Sequence, residues 1–213
     1  MQGLIGKKLG MTQVYDDKGN RVSVTVLEAG PCVVTQSKTV EHDGYRAVQL
    51  GFGEQKESRL TKAAMGHLKK AGSAPKRVLR ELEVDTDEDP KPGETVTVAM
   101  FEKVSHVDVI ATSKGRGFQG VVRRHKMRGG PITHGGHSKR RVGSIGQRTW
   151  TSKVAKGKRM PGQMGNVQIT TQNIRVVRID GPRNLLLIGG AVPGPVGGVV
   201  LICKALKKAG KAS

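Results

Sequence analysis

The chain has 213 residues, a formal net charge of +20 and a hydrophobic fraction of 36%. Its length fits one domain, or one domain with an appendage. That hydrophobic fraction supports a buried core in about half of the chain rather than throughout it. The presence of only two cysteines and the lack of any apolar run near ~20 residues exclude a disulfide-rich secreted domain and a membrane-spanning protein, so we expect a cytoplasmic protein without a signal peptide.

The N-terminal part predicts short β-strands separated by turns. Residues 12–15 form one strand-like run, and the valines within residues 22–26 alternate with polar residues after the turn at 16–20. A period of two on either side of an Asp/Gly/Asn turn is typical of a β-hairpin. The β-branched run at 31–35 predicts a further strand.

One helix and several more strands are predicted before residue 112. Residues 60–71 repeat apolar side chains at helical spacing, and Gly72 follows at a position where glycine favours the end of a helix. His67, inside this segment, is expected on the helix surface. The remaining predicted segments are strand-like runs at 45–52, 78–84, 95–101 and 107–111, and an acidic, proline-containing loop at 85–93.

Regular periodicity ends after Thr112, where the charge distribution also changes. Residues 1–108 carry 16 basic and 16 acidic side chains, whereas residues 109–179 carry 16 Lys and Arg and no Asp or Glu. Such a concentration of positive charge indicates a polyanionic partner. Because its apolar content is low, we expect the segment 113–166 to be an extended basic arm that is largely disordered in the free protein.

Strand patterns return after the arm. Residues 174–179 and 185–188 predict a hairpin around a turn, residues 199–203 predict a last strand, and residues 204–213 form a basic tail. The sequence thus predicts a mainly β protein with minor α structure. Its domains are a barrel or sandwich formed by residues 1–112 and 167–213, with a small helical insertion near 58–75, and the long basic loop 113–166 inserted between strands.

The two cysteines are far apart in the chain. Cys32 and Cys203 each lie in an apolar run. We therefore expect two buried, reduced thiols rather than a disulfide.

Enzymatic alternatives find little support in the arm. Gly115, Gly117 and Gly120 match the spacing of a dinucleotide-binding fingerprint, but neither a βαβ pattern nor a following acidic residue accompanies them. The carboxylates that hydrolases use for acid–base chemistry are missing from the arm. The pair His134 and His137 alone does not make a zinc site. We expect no enzymatic activity, no metal and no other cofactor.

The arm combines the residue types that bind RNA. Lys and Arg neutralise phosphates, Gly permits close approach of the backbone, and His and Trp donate hydrogen bonds to or stack on bases. The candidate RNA-binding residues are Lys114, Arg116, Arg123, Arg124, His125, Lys126, Arg128, His134, His137, Lys139, Arg140, Arg141, Arg148, Trp150, Lys153, Lys156, Lys158 and Arg159. A solvated basic segment of a nonspecific nucleic-acid chaperone is the alternative, and the internal position of the arm between strands argues against it.

Several longer motifs resemble the ribosomal protein L3 family of the large subunit. They are the run GLIGKKLGMT at 3–12, the spaced residues from Phe101 to Arg124, GSIG at 143–146, GKRMPGQMG at 157–165 and RNLLL at 183–187. The resemblance covers essentially the whole chain. The compact length of the chain, without a large eukaryotic-type extension, favours a member of the bacterial or organellar type.

This resemblance implies a translation-factor-type β-barrel and a loop that reaches through large-subunit (23S-type) rRNA toward the peptidyl-transferase centre. It also implies a role in early subunit assembly, neighbouring ribosomal proteins as further partners, a place in the cytoplasmic ribosome, and neither membrane binding nor homo-oligomerisation. The loop tip would fall at 147–153, with Trp150 at or near it. Some bacterial members carry a methylated glutamine in this tip. The aligned position in this chain is Thr149, and Gln147 does not align with it, so the resemblance does not extend to this modification.

Overall fold

The structure is a computed structural model that describes residues 2–84, 90–146, 149–150 and 152–208. The chain divides into two compact units. The barrel unit comprises Met1–Thr112 and Gln168–Ser213, and the inserted unit comprises Ser113–Val167. Predictions for residues 85–89, for Gln147, Arg148 and Thr151, and for the tail beyond residue 208 lie outside the described residues.

The described elements are mostly β-strands. In chain order they are β1 (Gly3–Tyr15), β2 (Arg21–Ala29), β3 (Cys32–Lys38), α1 (Val40–Asp43), β4 (Ala47–Glu54), α2 (Lys62–Lys70), β5 (Lys76–Glu83), β6 (Thr95–Val96), β7 (His106–Thr112), β8 (Phe118–Gln119), α3 (Val121–His125), β9 (Gly162–Gln163), β10 (Gln168–Asp180), β11 (Leu185–Gly189) and β12 (Val199–Lys204). Two 3₁₀ turns lie at Glu57–Arg59 and Val98–Phe101.

Six of the described strands close into a β-barrel, in the order β1, β12, β7, β10, β11 and β2. All neighbouring strands are antiparallel. The alternating valines of β2 form this strand as predicted, and β1 pairs with it through Tyr15 and Arg21. The predicted mainly β class with a barrel and minor α structure is confirmed.

The turn between β1 and β2 is held by Asp16. Its carboxylate accepts the backbone N–H groups of Lys18 at 3.1 Å and Asn20 at 2.8 Å, and Gly19 adopts a φ of 76°. The Asn20 N–H contributes most to lowering the pKa of Asp16 below its ordinary value. These hydrogen bonds are exposed, so water competes for them.

A second sheet, in the order β5, β4, β3 and β6, belongs to the same unit and shares its core. Leu4 from the barrel, Leu50 from this sheet and Phe101 between β6 and β7 are fully buried in one cluster. Complete burial of each such side chain contributes roughly 1.5–3 kcal/mol to stability. The two sheets are therefore parts of one folded unit.

The strand predicted at 95–101 is correct only at its start. Beyond β6 the chain forms the 3₁₀ turn at Val98–Phe101, in which Val98 and Phe101 are both buried. Residues three apart face the same way in a 3₁₀ turn and opposite ways in a strand. The shared burial of these two side chains explains the departure.

Helix α2 confirms the helix predicted at 60–71. The Thr61 hydroxyl accepts the N–H of Ala64 at its start, Leu68 is buried, and Gly72 follows the helix with a φ of 64°. His67 corrects the prediction of a surface residue. It is half-buried, and its Nε2 lies 2.6 Å from Oε1 of Gln49 in β4.

A buried carboxylate fixes an irregularity in β10. The pairing of β10 with β7 shifts between Thr171 and Ile174, and Asn173 adopts a φ of 56° there. Oδ1 of Asp108 accepts the Asn173 N–H at 2.7 Å, and its Oδ2 accepts the Leu206 N–H at 3.5 Å. Asp108 is thus a shared anchor for the β10 bulge and for the segment that follows β12.

Both cysteines are free, with Cys32 buried and Cys203 half-buried. The Cys32 thiol donates to the Ile5 carbonyl at 3.3 Å. Burial raises the pKa of each thiol from 9.0 to about 11, and the Asp108 carboxylate adds to the effect at Cys203.

We expect alkylation of Cys32 and Cys203 at pH 8 to be about 100-fold slower in the folded chain than in the unfolded chain, because a pKa two units higher leaves that much less thiolate. Mass spectrometry after iodoacetamide treatment, with and without denaturant, measures the ratio. Stability should fall as the pH rises from 9 to 11, since the unfolded thiols lose their protons first. Equal labelling rates in both states would contradict the buried placement.

None of the helices in the described part of the chain is long and apolar enough to cross a membrane.

Candidate nucleic-acid interface

The two ends of the inserted unit pair with each other. The Ser113 N–H donates to the Val167 carbonyl at 2.9 Å, the Arg116 N–H donates to the Met164 carbonyl at 2.8 Å, and the Met164 N–H returns to the Gly117 carbonyl at 3.0 Å. The short antiparallel strands β8 and β9 continue this ribbon. The two ends of the segment 113–166 thus form a short antiparallel ribbon, which its lack of sequence periodicity did not predict.

Glycine makes this ribbon possible at one point. Gly165 adopts a φ of 74°, and the Lys114 carbonyl oxygen occupies the space that a Cβ would need. Only glycine combines that conformation with so close an approach. The glycine-rich composition of the segment thus has a structural role besides any role in binding.

Helix α3 holds the returning strand in place. Val121 is buried, Nη1 of Arg124 donates to the Met160 carbonyl at 2.7 Å, and Nε2 of His125 lies 3.0 Å from the same oxygen. A carbonyl only accepts, so the His125 Nε2 carries a proton in this arrangement. Arg124 and His125, both predicted to bind RNA, are half-buried and already engaged within the unit.

A further loop is closed by backbone contacts around Gly129 and Gly130. The Gly130 N–H donates to the Lys139 carbonyl at 3.0 Å, and that same oxygen occupies the position of a Cβ on Gly129, whose φ is 80°. This closure leaves His134 and His137 exposed between the two ends.

The other described candidates are exposed side chains of this unit. They are Lys114, Arg116, Arg123, Lys126, Arg128, Lys139, Arg140, Arg141, Trp150, Lys153, Lys156, Lys158 and Arg159. Arg148 lies outside the described residues. Because residues 113–167 contain no Asp or Glu, no carboxylate of this unit can neutralise the cations. The positive charge of the unit is therefore not balanced by its own sequence.

Two aromatic side chains lie on this basic surface. Trp150 is 88% exposed and Phe118, in β8, is 76% exposed. Exposed aromatic rings among cations are typical stacking platforms for nucleic-acid bases. Phe118 was missing from the predicted site. Its position in the basic, glycine-rich run GRGFQG was the available signal.

The alternatives raised by the sequence gain nothing from this geometry. Gly117 and Gly120 flank β8, whose partner β9 is antiparallel, whereas a dinucleotide-binding turn requires a parallel βαβ unit. Among the described residues, no group of three or more His, Cys, Asp or Glu side chains is placed to hold a metal ion. The arrangement offers cations, exposed rings and close backbone approaches.

Comparisons with known proteins identify similar chains. Residues 77–185 match the family model described as ribosomal protein L3. The chain is 51% identical over 206 residues to large ribosomal subunit protein uL3 of Heliobacterium modesticaldum, with 97% of this chain and 98% of the relative covered. It is 47% identical over 211 residues to the protein of that name from Brachyspira pilosicoli, covering 99% of this chain and 97% of the relative. For the one from Pelotomaculum thermopropionicum, the identity is 48% over 209 residues, with 98% and 99% covered.

Proposed function

The chain belongs to the ribosomal protein L3 family, and we propose that it is a structural component of the large ribosomal subunit that binds large-subunit rRNA directly. The relatives at about half identity carry large-subunit names over nearly their whole length. This membership supports a structural rather than an enzymatic role. Neighbouring large-subunit proteins are further partners, and the chain acts as a single copy within the cytoplasmic ribosome.

The observation that carries the proposal is the acid-free charge of the inserted unit. Of the 16 Lys and Arg in residues 109–179, all but Arg175 and Arg178 belong to it. A carboxylate packed among phosphates would be both repelled and desolvated, which accounts for the absence of acids. A segment exposed only to water would face no such restriction.

Each residue class of the inserted unit then has a distinct role. The exposed Lys and Arg side chains neutralise phosphates, and Arg can do so through two parallel hydrogen bonds. Trp150 and Phe118 stack on unpaired bases. Arg124 and His125 act mainly by holding the ribbon that presents these groups.

The resemblance supports two finer statements. We propose that the inserted unit is the loop that passes through the rRNA toward the peptidyl-transferase centre, with the residues around Trp150 at its tip. We also propose that binding of this unit occurs early and nucleates subunit assembly. The remaining alternative is a nonspecific RNA chaperone that uses the same charge without a defined position.

Binding measurements separate these two functions. We expect the full chain to bind protein-free large-subunit rRNA more tightly than random-sequence RNA of the same length in filter-binding competition. If 6–10 phosphates are contacted, the affinity should fall by roughly 10³–10⁵ between 50 and 200 mM salt. Equal affinity for both RNAs would favour the chaperone.

A further inference from the structure

The formally neutral first half of the chain contains a second basic segment. Residues 55–80 carry eight Lys and Arg and a single acid, Glu57. The acids that balance the sum lie elsewhere in residues 1–108. This segment includes the 3₁₀ turn at Glu57–Arg59, helix α2 and the start of β5, all in the barrel unit.

Helix α2 presents two of these lysines on one exposed face. Lys62, Gly66 and Lys69 are separated by four and three residues, so they lie above one another on the side away from the buried Leu68. A groove of about 490 Å³ runs beside this face and is also lined by Leu60 and Met65. The lining of the groove thus combines two apolar side chains with two cations, and Glu57 and Ser58 complete it.

The sequence of this face is not the one that would best stabilise the helix. Gly66 has no neighbouring atom within 4 Å of the position of a Cβ, so alanine would fit and would favour the helix. Lys62 lies in the first turn, which contains no acidic residue and where the helix dipole disfavours a cation. A polyanion bound to this face would offset the unfavourable position of Lys62. Close approach of the polyanion's backbone to the helix would explain why Gly66 is not a larger residue.

Ion pairing within the protein does not account for these lysines. In the described ranges, neither Lys62 nor Lys69 forms an ion pair with a carboxylate, although Glu57 lines the same groove. Both ammonium groups are exposed. Their charges are therefore accessible to an external anion.

We propose that the Lys62–Gly66–Lys69 face of α2 and its groove form a second RNA-binding surface, which receives a ribose–phosphate backbone. The two lysines contact phosphates, and the bare backbone at Gly66 lets the ribose chain lie against the helix. The apolar side chains of Leu60 and Met65, which line the groove, contact the sugar. This surface is formed by the barrel unit alone and rests on the proposed function, because the polyanion is the same rRNA.

Full-length variants test this surface by filter binding to protein-free large-subunit rRNA. The pair K62Q/K69Q is expected to weaken binding at least tenfold at 100 mM salt and to reduce the log–log salt slope by about 1.4–1.8, the sum of two phosphate contacts. Gly66→Gln is expected to weaken binding while the free protein melts no lower than the parent chain. The matched control K18Q/K103Q removes two exposed lysines of the same unit outside this face and should leave the affinity within about twofold.

Three results would overturn the inference. The first is an unchanged salt slope for K62Q/K69Q, and the second is an equal loss of rRNA affinity for the control K18Q/K103Q. The third is full rRNA affinity of K62Q/K69Q combined with its failure to enter the subunit, which would indicate an acidic protein partner instead. Failure of the proposed function is distinguishable, because it would appear in the parent chain as equal affinity for random RNA.

Discussion

Deletion of residues 133–157 is expected to abolish formation of active large subunits while the barrel unit stays folded. The deletion removes six of the basic side chains and Trp150. It leaves the ribbon of β8 and β9 and the contacts of Arg124 and His125 with the Met160 carbonyl in place. The loss should therefore fall on RNA contacts rather than on stability.

Sucrose-gradient profiles and peptide-bond formation by the purified subunits measure the outcome. Thermal unfolding of the free variant tests whether the barrel unit is intact. A matched variant keeps the length and replaces Lys139, Arg140, Arg141, Lys153 and Lys156 with Gln. It should show the same direction of defect if charge, rather than chain length, is responsible. Normal subunit assembly and normal peptide-bond formation with the deletion variant would contradict the proposed role of the inserted unit.

Replacement of the buried Asp108 with Ala is expected to lower the free energy of unfolding by about 2–4 kcal/mol, since it removes two charge-assisted hydrogen bonds and leaves the N–H of the half-buried Asn173 without its acceptor. The bulge in β10 and the segment after β12 should both loosen. Urea unfolding followed by circular dichroism measures the free energy, and hydrogen exchange at Asn173 and Leu206 measures the local effect.

Asp16→Ala is the matched control for this replacement. Asp16 also accepts two backbone N–H groups, but in an exposed turn where water can replace the lost hydrogen bonds. We expect a much smaller loss of unfolding free energy for this variant than for the Asp108 replacement. Equal losses for the two variants would mean that burial does not decide the strength of such an anchor.

The strands and the capped helix were predictable because their signals are local. The alternation in β2, the turn at 16–20 and the spacing in α2 each lie within a few residues. The order of strands around the barrel was not predictable from such patterns, because it depends on which distant strands bury each other's side chains. The 3₁₀ turn at Val98–Phe101 is similar, since its apolar residues fit a strand equally well until their burial is known.

The candidate site divides in the same way. Its charge could be predicted because composition alone reveals it. The roles of Arg124 and His125 could not, since their partner is a backbone carbonyl 36 and 35 residues away. Strands of two residues, such as β8 and β9, are too short for any periodicity and depend on the glycines that let the chain ends approach.

The inserted unit leaves and rejoins the barrel unit at neighbouring positions. Thr112 ends β7 and Gln168 begins β10, and these two residues are direct partners in adjacent strands. A plain hairpin turn could therefore connect them. The entropic penalty of a longer connection rises by only about 0.6 kcal/mol for each doubling of its length. The connection between β7 and β10 can therefore vary in length and sequence, over evolution or by design, without changing the strand order of the barrel.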